Sequence, residues 1–294
     1  MKVLKLIRIK HWVKNSFLFI PLFFSGQLTD YNLYPNLLLG FLAFSLIASA
    51  IYVINDLKDV EADRLHPKKK ERPIASGDIS ISAAIMIFGL LVLSGGTIAY
   101  LVELKFAFVL LIYFLMNLAY TLKLKEISII DIVIVAIGFV LRIKAGGIIS
   151  DVPLSQWIIV MVFLLAVLMA VAKRRDDLII KQESGQDMRK VAKTYSLEFL
   201  NVALSLVAGV IFVSYLMYCM SPEVIERMGT YRLFYTALFV LVGILRYLQL
   251  GLVENDTGSP TQVLYKDRFI QMAILGWVVS FYLLIYFKDL TIFS

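Results

Sequence analysis

The sequence predicts an all-α membrane protein, a bundle of nine transmembrane helices around a polar cavity that faces the cytoplasm. Three observations carry this expectation. Of the 294 residues, 60% are hydrophobic and only 17% charged, with a mean hydropathy of +0.82, whereas soluble domains run at about 45–50% apolar and roughly 25% charged. Apolar stretches of membrane-spanning length recur along the whole chain. Lys and Arg fall mostly in alternate loops. Together these exclude a soluble multidomain enzyme and a disordered chain. A disulfide scaffold is excluded because Cys219 is the only cysteine.

Crossing the hydrocarbon core takes about 20 mostly apolar residues in a helix, and open strands cannot span lipid. The stretches lie near 16–28, 35–54, 81–102, 106–122, 127–149, 154–172, 201–220, 233–253 and 268–287. Pro21 interrupts the first, which is the weakest. The run FLFIPLFF has no small-residue cleavage site after it, so no signal peptide is expected. No repeat, low-complexity tract or soluble module stands out, and residues 1–294 are expected to form a single membrane domain.

Orientation follows from the cations. The N-terminal tail holds five Lys and Arg, and the loops after the second, fourth, sixth and eighth stretches hold six, two, seven and two. These 22 lie on one side, against four on the other: Lys105, Arg227, Arg232 and Lys288. The positive-inside rule makes the first side cytoplasmic. The net charge of +7 then reads as a topology signal, not as nucleic-acid binding. Nine crossings would leave the C-terminus outside.

The cytoplasmic end of the second stretch reads Asn55-Asp56-Leu57-Lys58-Asp59-Val60-Glu61-Ala62-Asp63-Arg64. Residues three and four apart share a helix face, so Asn55, Asp59 and Asp63 form a stripe with Asp56 beside it. Converging carboxylates at a membrane boundary repel one another and call for a cation. Oxygen donors without His or Cys select a hard ion, Mg²⁺ first, which commonly bridges carboxylates to substrate phosphates. The plainer alternative is a solvated helix end paired with Lys58 and Arg64. A basic, Pro-bounded loop follows, His66 to Ile74, in which Arg72 and the lysines suit either a membrane anchor or a lid over phosphate oxygens.

The segment NDLKDVEAD with HPKKKERPIASG resembles the first aspartate-rich motif of the UbiA-type intramembrane prenyltransferase superfamily. Within it, the chain most resembles the decaprenyl-phosphate phosphoribosyltransferase branch, over nearly its whole length. The resemblance is carried by Arg8-x-x-His11-Trp12-Val13-Lys14-Asn15, Leu141-Arg142-x-x-Ala145-Gly146-Gly147 and Ala172-Lys173-Arg174-Arg175-Asp176-Asp177-Leu178. Gly258-Ser259-Pro260-Thr261 with Lys266-Asp267-Arg268 adds to it. It implies a Mg²⁺-dependent enzyme of the cell membrane, active on the cytoplasmic side, that transfers 5-phosphoribosyl from phosphoribosyl pyrophosphate to a polyprenyl phosphate and releases pyrophosphate. Asn55, Asp56, Asp59 and Asp63 are then the metal set. Lys14, Asn15, Arg72, Asp176 and Lys266 are expected to bind substrate.

Prenyl-transferring members usually carry a second aspartate-rich motif after the sixth span. Here Lys173-Arg174-Arg175 precede Asp176-Asp177. An i, i+4 pair between Lys173 and Asp177 explains part of this. More anions on the substrates explain it too, because guanidinium forks suit phosphate oxygens. Lys173, Arg174 and Asp177 are therefore candidate catalytic residues. Asp131 and Arg142 lie 11 residues apart, near three helical turns, and so share a face; buried ionisable groups mark either function or a structural pair. Tyr120 and Asn117 are candidates for a polar lining. The competing reading is a UbiA-type prenyl transfer from a diphosphate to a small aromatic or lipid acceptor. A transporter would spread polar residues to both sides of the membrane. The pattern leaves a homo-oligomer open.

Overall fold

The structure, a computed structural model, describes residues 2–66, 69–184, 194–254, 263 and 266–287. Lys68, Arg189, Lys190, Lys193, Lys288 and the motif at 258–261 lie outside them. The described residues are helical throughout, without strands. In chain order the α-helices are α1 Lys2–Leu6, α2 Ile20–Phe23, α3 Tyr34–Lys58, α4 Val60–Leu65, α5 Ile81–Val102 and α6 Leu104–Leu122. Then come α7 Ile130–Ile149, α8 Gln156–Ser184, α9 Leu197–Met220, α10 Pro222–Met228, α11 Ala237–Leu252 and α12 Arg268–Tyr286. Among the described residues, eight helices are long and apolar enough to cross a membrane, and they match the second to ninth expected stretches.

The first expected stretch, 16–28, departs from expectation. No α-helix of spanning length forms there. Residues Ile9–Phe19 form a 3₁₀ helix, followed by the four-residue α2 with Pro21 in its first turn. This strand of chain runs antiparallel along α3. Trp12 donates to Ser49 (3.0 Å) and Asn15 to Ser45 (2.9 Å), and Leu18 lies beside Gly40. A 3₁₀ helix rises about 2.0 Å per residue against 1.5 Å in an α-helix, so these 11 residues reach as far as a longer α-helix would. The apolar window misplaced the element because its polar members, Lys14 and Asn15, were assigned to the tail. Asn15 is in fact 1% exposed.

The chain packs as two compact units, and α7 contributes to both: residues 1–124 with 141–153, and residues 125–140 with 154–294. In the first unit, α3 is the central helix. Its Ala43, Phe44, Ile47 and Ile51 meet Leu18, Phe106, Leu110 and Ala145 in one core, while Ala50 and Val53 meet Leu6, Ile74, Ile79 and Ala84 in another. Small residues let helices approach where lipid removes the hydrophobic driving force. Gly146 is the tightest case: a Cβ there would overlap the Leu18 carbonyl. In the second unit, α8 packs on α9 through Leu168, Val171, Ala172, Leu200, Leu204 and Ala208, with Ile132 of α7.

Short polar side chains start the helices. Ser80, Ser196 and Asp267 accept the backbone N–H three residues on, at 3.2, 3.1 and 2.8 Å, which satisfies donors that a helix start leaves open. The outer faces of α5 and α6 expose Ile85, Leu90, Leu93 and Phe108, as lipid contact requires.

Candidate active site

In the first unit the aspartate stripe persists across a helix junction. α3 ends at Lys58 and α4 begins at Val60. The bonds Asp59 N–H to Asn55 O (3.0 Å) and Asp63 N–H to Asp59 O (2.8 Å) carry the i→i−4 pattern through. Asp56 and Asp63 are each 3% exposed; Asn55 and Asp59 are half-buried. Arg72 Nη1 reaches both Asp56 Oδ1 (3.0 Å) and Asp63 Oδ2 (2.6 Å), and Arg8 Nη2 reaches Asp56 Oδ1 at 2.6 Å. Such charge-assisted bonds offset what burying two carboxylates costs. The plainer expectation named the wrong cations: Arg64 pairs with Glu61, and Lys58 donates to the carbonyls of Thr121 and Leu122.

Both arginines are positioned from elsewhere in the chain. The loop carrying Arg72 is pinned by buried Ile74 and Ile79 and by Ile79 N–H to Pro73 O (2.9 Å). Arg8 sits at φ 52°, the left-handed region, and its guanidinium lies 4.7 Å from the Tyr52 ring centroid. Before it in the chain, Lys2 of α1 bonds Asp78 at 2.6 Å, and that hydrogen bond holds the Asp78 carboxyl below its usual range.

The oxygen-only donors of the stripe fit Mg²⁺ chemically. Among the described residues, no three His, Cys, Asp or Glu side chains converge as a cage.

Deeper in this unit, Arg142 is 7% exposed. Its Nε donates to Asn15 (2.9 Å) and its Nη2 to Tyr113 Oη (2.9 Å), with the Phe44 and Tyr113 rings at 5.0 and 4.9 Å. The Asn117 amide donates to the Tyr113 carbonyl, and Tyr120 and Lys14 are half-buried.

The second unit holds the other cluster. Asp131, fully buried, accepts Arg174 Nε at 2.5 Å and the Tyr195 hydroxyl at 2.8 Å. Arg174 also reaches Asp177 at 3.1 Å. Of the two readings of Asp131 and Arg142, a structural pair with one another does not form: each has its own partners. Of the three consecutive cations only Lys173 is exposed, and Arg175 donates to Asn201 at 2.7 Å. Asp176 is buried. Arg246, in the second half of α11, binds Asp267 (2.8 Å) and Glu254 (2.9 Å), and Lys266, next to Asp267 in the chain, is exposed. Between the starts of α7 and α9 lies an open cavity of about 530 Å³, lined by Ser128, Ile129, Thr194, Tyr195, Ser196 and Phe199.

Arg8, Tyr113, Tyr195 and Asn201 were not among the expected site residues. Arg8 was visible in the N-terminal motif, but its long-range ion pair was not. The tyrosines carried no signal, since a hydroxyl's partner is not readable from spacing.

The family model described as "UbiA prenyltransferase family" matches residues 18–275. The chain is 32% identical to the decaprenyl-phosphate phosphoribosyltransferase of Mycolicibacterium smegmatis, over 97% of this chain and 93% of that protein. It is 31% identical to the one from Corynebacterium glutamicum, over 97% and 86%. Among solved structures, a UbiA homolog from Archaeoglobus fulgidus bound to GPP and Mg²⁺ superposes with a TM-score of 0.71 at 19% identity, covering 97% of this chain and 99% of that one. With that fold, and with relatives matched over nearly their full length, the chain belongs to the UbiA prenyltransferase family.

Proposed function

We propose that the protein transfers the 5-phosphoribosyl group of phosphoribosyl pyrophosphate to a polyprenyl phosphate, in a Mg²⁺-dependent reaction on the cytoplasmic side of the membrane. The observation that carries this reading is the near-full-length similarity to proteins named decaprenyl-phosphate phosphoribosyltransferase. The aspartate stripe with two arginines adds support, being suited to a diphosphate.

Asn55, Asp56, Asp59 and Asp63 would hold Mg²⁺, which when bound would supply positive charge to offset the charge that builds on the leaving diphosphate. Arg72 and Arg8 donate to its oxygens. The C1–pyrophosphate bond breaks, and an oxygen of the lipid phosphate forms the new bond at C1 from the opposite face. That nucleophile is already anionic, so no general base is needed. Catalysis is then positioning and electrostatic stabilisation. Lys14, Lys173 and Lys266 supply positive charge for the 5-phosphate and the lipid phosphate. Asp177 orients ribose hydroxyls, held by Arg174 and Asp131, while Asn15, Tyr120, Arg142 and Asp176 complete the polar binding groups.

The test is the purified protein with labelled phosphoribosyl pyrophosphate and polyprenyl phosphate, with and without EDTA. Label is expected to become lipid-extractable only with free Mg²⁺ present. No transfer, or full transfer in excess EDTA, contradicts the reading. A prenyl transfer would use the same stripe and is the outcome to check next.

A further inference from the structure

We infer that Tyr195 is a positioning residue for the reaction proposed above, on which this inference rests: its hydroxyl fixes Asp131 and, through it, the Arg174–Asp177 pair. Two groups meet at that oxygen. The Ile129 N–H donates to it at 2.5 Å, and the hydroxyl donates its own proton to Asp131 Oδ1 at 2.8 Å. The other oxygen of Asp131 takes Arg174 Nε at 2.5 Å, and Arg174 Nη1 reaches Asp177 Oδ2 at 3.1 Å. Side-chain exposure rises along this chain of bonds, from 0% at Asp131 and 3% at Arg174 to 16% at Asp177. Of these three side chains Asp177 is the most open to a ligand, and Asp131 and Arg174 act through it; Tyr195, half-buried beside the cavity, acts through Asp131.

The backbone beside Asp131 gives Tyr195 a second role. Ile129 has φ 69°, a region costly for a β-branched residue and held only where surrounding contacts enforce it. The N–H that Tyr195 captures is that of the strained residue itself, two positions before Asp131. One hydroxyl therefore holds both the strained turn and the carboxylate it presents. The ring is fixed in turn by stacking on Phe199, with planes 15° apart and centroids 6.0 Å apart. Burial pushes the phenol up to about 12, so it remains a proton donor at neutral pH.

Tyr195→Phe keeps the ring and removes the hydroxyl. The variant is expected to fold and to lose about tenfold in kcat/KM, the scale of one hydrogen bond to a charged group. Asp177→Asn should lose more, and the double variant should match Asp177→Asn within about twofold, because residues acting through one another are not additive. Losses that multiply, or a Tyr195→Phe enzyme equal to wild type, overturn the inference. Thermal unfolding of Tyr195→Phe, Asp131→Asn and their double, without substrate, reads the linkage independently of turnover, and additive shifts in Tm also overturn it. If the wild type ignores phosphoribosyl pyrophosphate, the proposed function fails by itself; the unfolding cycle still reports on Tyr195, and the kinetic comparison is repeated with prenyl diphosphate.

Discussion

Asp56 and Asp63 are buried carboxylates whose charges depend on one arginine, Arg72, 16 and 9 residues away, and for Asp56 also on Arg8, 48 residues distant. Removing one partner of a buried pair leaves the other uncompensated. Arg72→Ala strips Asp63 of its described cation, and is expected to lower stability by about 2 kcal/mol, discounted because Arg72 is itself 25% exposed. Arg64→Ala, which breaks an exposed pair with Glu61, should stay within about 0.5 kcal/mol. Thermal unfolding in detergent distinguishes them, and equal shifts would contradict the assignment. Asp59→Asn preserves shape and removes charge; it is expected to fold normally and lose at least about 100-fold in turnover, the scale of losing an electrostatic contact in a reacting site. The stripe itself was legible because helical spacing is local. Arg8 was not, because the left-handed turn that aims it is set by Tyr52 and Asp56, far along the chain.

Helix starts and close approaches decide how the elements stand. Gly146 of α7 leaves no room for a methyl group against the Leu18 carbonyl. Gly146→Ala should therefore displace the 3₁₀ strand and cost about 1–3 kcal/mol, the range for overpacking, with Asn15 drawn off Arg142 in the process. At α12, Asp267 caps the first turn and also binds Arg246, whose hydrogen bond lowers its carboxyl pKa. A depressed carboxyl contributes stability above its unfolded pKa and loses it as pH falls through the folded value. Asp267→Asn retains the cap without the charge, so it should be less stable than wild type at pH 7, with the difference vanishing under acid. A Tm difference independent of pH would count against the ion pair. Eight spanning helices could be read from apolar runs with their boundaries nearly in place. The 3₁₀ helix Ile9–Phe19 could not, since hydropathy windows assume an α-helical rise and this segment buries the polar Asn15 beside a half-buried Lys14.

At the scale of the whole molecule, the account makes a claim about sides. The 3₁₀ strand brings Arg8 to the Asp56 end of α3, and the cation-rich loops beside Lys69 and Lys123 should share the cytoplasmic side with it. In a Cys219→Ser background, whose native cysteine is buried, Lys69→Cys and Lys123→Cys should react with an impermeant maleimide only after cells are opened. Glu226→Cys should react in intact cells, and the reverse pattern would invert the topology. Composition made the membrane class plain, and the charge pattern proposes the orientation that this labelling tests. The choice of donor depended instead on the short KRRDDL segment, and the structure spends two of those cations within the protein, Arg174 on Asp131 and Asp177 and Arg175 on Asn201. Donor choice is thus the central claim, and a competition tests it most directly. The purified protein is given Mg²⁺, phosphoribosyl pyrophosphate and a prenyl diphosphate together, with polyprenyl phosphate and an aromatic acceptor both present. The account predicts phosphoribosylated polyprenyl phosphate and consumption of phosphoribosyl pyrophosphate alone; a prenylated acceptor with phosphoribosyl pyrophosphate left intact would contradict it.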